Sequence, residues 1–156
     1  MSSPTASAIP SKKRENNTPG DIERRAALHA LRMGTRFMKT RAWDTAALWL
    51  RQAVQILPGF FEAYYLLGDV YMELGQSDEA IETYDRAIRL RPDDTSAHLK
   101  LGLAYIAKNN WNAALGQYHT LRTLNEVVAG ELFDKIIYSF NYEMFESLFN
   151  HVQEAK

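Results

Sequence analysis

Cysteine is absent from the 156 residues of this chain. That single gap removes disulfides, thiolate zinc sites and cysteine nucleophiles together, while leaving the redox compartment open. Long hydrophobic runs are missing as well. Nothing reaches the roughly 18 consecutive apolar residues a membrane helix needs, so no membrane insertion is expected. The leader MSSPTASAIPSKKRENNTPG has neither the apolar core of a secretory signal nor the arginine-rich amphipathic pattern of a transit peptide, which predicts a soluble, cytoplasmic protein. Nor does one sign of charge dominate. Eighteen Lys and Arg face nineteen Asp and Glu, a net charge of −1, so no overall field favours nucleic acid as a partner.

Arrangements that carry chemistry are equally scarce. The histidines, His29, His98, His119 and His151, form no i, i+4 pair and sit beside no carboxylate motif of metal-ligand type, so no metal site is expected. There is no glycine-rich phosphate loop and no G-x-S-x-G elbow, and Asp93-Asp94 falls at a turn where helix capping accounts for it. The expectation is a non-enzyme with no catalytic residues and no cofactors.

What the sequence does contain is punctuation. Residues 1 to 20 are rich in Ser, Pro, Thr, Asn and Lys, with Ile9 their one large apolar residue after Met1, and read as a disordered tail. Order is expected from near Asp21, which follows Thr-Pro-Gly and is placed to cap a helix. From there, segments of about a dozen residues with apolar positions three and four apart are separated by breaks at KTRAW, LPGF, ELGQS, RPDD and KNNW. No segment alternates strictly like a strand.

These segments recur. Gly34, Gly68 and Gly102 are spaced by 34 residues, and each brings a matched set with it. The first unit has Ala30, Met33, Phe37, Ala46, Leu50, Ala53 and Pro58; the second Tyr64, Leu67, Tyr71, Ala80, Tyr84, Ala87 and Pro92; the third His98, Leu101, Tyr105, Ala114, Tyr118, Leu121 and Glu126. A small residue opposite a bulky one lets two helices approach closely, and proline forces a turn before the next pair. The pattern resembles the tetratricopeptide repeat (TPR) family, a helix-turn-helix of 34 residues. The resemblance implies an all-α fold, an α-solenoid of helix-turn-helix repeats over residues 21–126, with units at about 25–58, 59–92 and 93–126. The third unit departs from the pattern at Leu121, Glu126 and Asn109-Asn110.

Residues 127–156 contain no fourth copy and are expected to form C-terminal capping helices, because a repeat array needs its last apolar surface covered. Residues 127–140, with Leu132, Phe133, Ile136, Ile137 and Phe140 at helical spacing, suit a first cap helix. Residues 142–155 suit either a second cap helix or a partner-binding one, with Phe145, Leu148 and Phe149 as a second interface through which homo-oligomers would form. Charge is uneven along the chain. Residues 21–41 carry a surplus of four positive charges and residues 126–156 a surplus of four negative ones, which would suit head-to-tail stacking.

The resemblance further implies that the first helix of each repeat lines a concave groove. Matching positions are Leu31, Thr35, Met38 and Lys39 in the first unit, Glu62, Tyr65, Asp69, Met72 and Glu73 in the second, and Leu99, Lys100, Leu103 and Ile106 in the third. A carboxylate clamp of the kind that grips chaperone tails would need cationic and amide side chains at Leu31, Thr35, Leu66, Ser96 and Lys100, and only Lys100 is suited. Methionines and aliphatics around Glu62, Asp69 and Glu73 suit an apolar or amphipathic segment with basic flanks. The expected partner is another protein, bound as a peptide or amphipathic helix by an adaptor or scaffold. A chaperone resembling the bacterial secretion chaperones, holding hydrophobic stretches of a client, is the alternative.

Overall fold

The computed structural model describes residues 18–154, with side chains described up to residue 142. It contains α1 (Pro19–Lys39), α2 (Trp43–Ile56), α3 (Phe61–Glu73), α4 (Ser77–Leu90), α5 (Thr95–Ala107), α6 (Trp111–Leu124) and α7 (Glu126–Glu154), and no strand among the described residues. Consecutive helices pair as hairpins, α1 with α2, α3 with α4 and α5 with α6, and each hairpin packs on the next through α2 against α3 and α4 against α5. The architecture is an all-α helical-repeat solenoid.

Local chemistry explains where the helices start and stop. Thr18, not Asp21, is the N-cap of α1: Pro19 occupies the first turn, and Asp21 reaches back to Thr18 in a reciprocal capping box. The sequence reading placed this start three residues late because it took Thr-Pro-Gly for a loop. Asp94 caps α5, accepting from Ala97 N at 2.8 Å. The turns inside the hairpins share one geometry. Arg41, Gly75 and Asn109, again 34 residues apart, all adopt positive φ, at 57°, 71° and 56°. Each turn is closed by the same backbone bond, from Ala42, Gln76 or Asn110 N to the carbonyl of Phe37, Tyr71 or Tyr105.

The recurring glycine marks a place where no side chain fits. A Cβ on Gly34 would stand 2.6 Å from Leu50, and one on Gly68 would stand 2.5 Å from the Tyr84 ring. Leu50 and Tyr84 are fully buried as a result. In the third hairpin the period would put Tyr118 against Gly102, yet the side chain there is Leu132 of α7, 2.6 Å from where a Cβ would be. Tyr118 instead lies against Phe133, ring centroids 5.2 Å apart. The reason is α7 itself, which packs on both α5 and α6 and contributes Ala129, Leu132 and Ile136 to a cluster with Ala114 and Leu121.

Residues 126–154 form one helix rather than two capping helices. The expected break near residue 141 does not occur, and the segment SFNYE has no proline or glycine to cause one. The α7 contacts among the described side chains end near Phe140, edge-on to Trp111 at 5.9 Å. The Phe145, Leu148 and Phe149 side chains lie outside the described residues.

Candidate functional site

The face formed by α1, α3 and α5 carries a cleft of about 270 Å³, lined by Met38, Trp43, Asp69, Met72, Glu73, Tyr84, Lys100 and Leu103. Its floor is polar. Asp69 Oδ1 accepts a 2.7 Å hydrogen bond from the Tyr84 hydroxyl and lies 2.9 Å from Lys100 Nζ. Three successive helices, α3, α4 and α5, thereby meet at one carboxylate oxygen. The geometry follows from the close approach at Gly68: with its ring pressed onto the α3 backbone, Tyr84 can only direct its hydroxyl outward, to the residue next along the helix.

Protonation at the floor is well defined. Burial first, and then the Asp69 charge and hydrogen bond, push the Tyr84 hydroxyl far above the ordinary tyrosine range, so it remains a donor. Tyr65 is raised by burial and then by Asp69. For Lys100, burial acts to lower the pKa, but the hydrogen bond and charge of Asp69 outweigh it, and the ammonium is held above its usual value. Lys100 is therefore a paired cation, not one waiting for a ligand.

Of the residues the sequence pattern proposed, the cleft gathers Met38, Asp69, Met72, Glu73, Lys100 and Leu103. The others have different surroundings. Leu31 packs into the first two clusters of the core, and the Thr35 hydroxyl donates to the Leu31 carbonyl at 2.9 Å. Lys39 is exposed in the last turn of α1. Glu62 pairs with Arg91, whose guanidinium lies 4.1 Å over the Phe61 ring. Tyr65 stacks on Phe61 at 5.9 Å and meets Tyr84 edge-on at 6.2 Å. Leu99 and Ile106, like Leu103, pack against the cluster that α7 completes.

Two lining residues, Trp43 and Tyr84, were not among the groove positions read from the sequence. Trp43 opens α2 immediately after the left-handed turn at Arg41, and Tyr84 belongs to a second helix of a hairpin. Tyr84 had a signal: it is the polar member of the series Leu50, Tyr84, Tyr118, and a buried tyrosine needs an acceptor. His98 is an internal tie, with ring nitrogens 2.8 Å from the Pro92 carbonyl oxygen and 2.8 Å from the Gln117 side chain. Among the described residues no three His, Asp or Glu side chains gather as a metal site, and no helix is long and apolar enough to cross a membrane.

Stacked hairpins with a cleft across their first helices define a helical-repeat protein of the solenoid class. The repeats are tetratricopeptide repeats: the family models described as "TPR repeat" and "Tetratricopeptide repeat" match residues 68–109 and 49–82. Human Tetratricopeptide repeat protein 21A is 32% identical over 75 residues, covering 48% of this chain and 6% of the relative. The CTR9 homolog of Arabidopsis thaliana is 32% identical over 109 residues, covering 67% of this chain and 10% of the relative. The chain thus spans a tenth or less of the length of these curated relatives. Among solved structures, the first TPR of Spaghetti (RPAP3) bound to HSP90 peptide SRMEEVD superposes with a TM-score of 0.69 at 19% identity, over 76% of this chain and 95% of that one. That likeness is one of fold.

Proposed function

We propose that this chain is an adaptor that binds a segment of a partner protein, an amphipathic helix or extended peptide, in the cleft between α1, α3 and α5. The observation that carries this reading is the cleft's construction: Met38, Trp43, Met72 and Leu103 form apolar walls above a floor where Asp69 and Glu73 outnumber Lys100. Methionine and tryptophan walls accept varied apolar side chains, and the surplus carboxylate suits a basic neighbour on the ligand. The RPAP3 relative, bound to a peptide, supports a peptide as occupant of such a fold. That peptide carries two glutamates and an aspartate; here Asp69 already neutralises Lys100, so the complement is a basic segment.

Holding greasy client stretches, as a secretion chaperone would, calls for an apolar trough throughout. The Tyr84–Asp69–Lys100 floor favours the adaptor. A library of amphipathic peptides with basic or acidic flanks, screened by fluorescence polarisation, tests the reading. Basic-flanked peptides should bind, Met72→Ala with Leu103→Ala should weaken them at least tenfold, about 1.4 kcal/mol, and Glu73→Lys should shift preference toward acidic flanks. Binders indifferent to all three substitutions would overturn it.

A further inference from the structure

Past Phe140, α7 continues for residues 141–154, and at 1.5 Å per residue these fourteen extend about 21 Å. Within α7, Tyr138, Tyr142, Phe145, Phe149 and Val152 are spaced four, three, four and three apart, the a/d register of a helix-pairing seam two heptads long. At 100° per residue this seam lies about half a turn round the helix from Ala129, Leu132 and Ile136, which dock on α5 and α6. Docking therefore leaves it uncovered where it can be seen: Tyr138 is 74% exposed and Tyr142 59%.

We infer that this seam is a homodimer interface, and that its occupant is α7 of a second copy lying antiparallel. Charge selects the copy and its direction. The positions flanking the seam are Ser139, Asn141, Glu146, Leu148, Gln153 and Ala155, a single charge among six, so two like helices meet there without a band of repulsion. In an antiparallel register centred on Phe145, Glu143 falls opposite Ser147 and Glu146 opposite Met144, and no carboxylate of this stretch faces another.

The other end of the array does not suit the role, although its positive charge complements α7. Where α3 and α5 present Ala63, Leu67 and Val70, and Ala97, Leu101 and Ala104, to the preceding hairpin, α1 has His29, Met33 and Arg36 at the matching positions. His29 and Arg36 are exposed. The N-terminal end is a polar cap that closes the array, so the interface is isologous and closes at two chains.

Sedimentation of the full chain at tens of micromolar decides the matter. The expected species has twice the 17.9 kDa chain mass; Tyr142→Glu with Phe145→Glu should halve it, and circular dichroism should show the array folded in that variant. Tyr142→Ala, a milder change, should weaken dimerisation without abolishing it, and Arg36→Glu should leave the dimer intact. A monomeric native chain, a ladder of species above the dimer, or a dimer broken by Arg36→Glu yet untouched by the seam substitutions would overturn the assignment.

Discussion

The Tyr84 hydroxyl donates a 2.7 Å hydrogen bond to Asp69 Oδ1, and that same oxygen holds Lys100. A ring in its position because Gly68 lacks a side chain thus sets the polarity of the cleft floor. Packing and recognition share one contact.

Tyr84→Phe keeps the packing and removes the bond, so it should cost about 1.5–3 kcal/mol, the range for hydrogen bonds to charged groups. The same bond makes stability sensitive to alkali. Tyr84 is raised above its ordinary value of 10.0, so its contribution is complete below pH 10 and is lost as pH rises beyond, where the unfolded chain ionises and the folded one resists. Lys100, raised above 10.5, acts in the same direction but is partly exposed and screened. Urea midpoints should fall between pH 9 and pH 11 in the native chain and fall less in Tyr84→Phe.

Glycines of the same helical scaffold should respond with opposite signs. Gly68→Ala places a Cβ against the Tyr84 ring and should destabilise by about 1–3 kcal/mol. Gly116 and Gly130, helical and with nothing within 4 Å of an added Cβ, should each gain up to about 1 kcal/mol as alanine. Thermal melts of the three variants check the contrast.

Arg41 adopts the left-handed conformation that Gly75 adopts without strain. Such a backbone costs a residue with a side chain about 1–2 kcal/mol, and glycine's extra freedom when unfolded returns up to about 1. Arg41→Gly should therefore raise stability by roughly 0.5–1 kcal/mol. Asn109→Gly should gain less, since asparagine tolerates this region. Chemical denaturation of the two variants ranks them.

Leu132 is fully buried and fills the space at Gly102. Leu132→Ala should cost about 2–5 kcal/mol and loosen α7 first. Val127→Ala, at a position 83% exposed on the same helix, should stay within about 0.5 kcal/mol. Hydrogen exchange along α7, combined with denaturant titration, separates the two.

The hairpins were legible because their period is local. Gly68 and Tyr84 stand sixteen residues apart, and the same sixteen separate Gly34 from Leu50, so one spacing rule describes both contacts. The third copy broke that rule without notice: Gly102 meets Leu132, thirty residues on, because α7 packs on α5 as well as α6. Nothing in the order of residues distinguishes a Tyr118 that fills a gap from one displaced by a later helix. Likewise, the absence of a breaker in SFNYE was present in the sequence, but the expected number of caps outweighed it.

Residue types at fixed spacing were sufficient for the repeat, its turns and the apolar content of the first helices, since each depends on neighbours within one hairpin. The joining of Asp69, Tyr84 and Lys100, the entry of Trp43 into the cleft wall and the withdrawal of Leu31 into the core were decided only when hairpins stacked. Which oxygen a buried hydroxyl reaches, and which cation a carboxylate holds, depends on ångström distances between chain segments that helical periodicity does not specify.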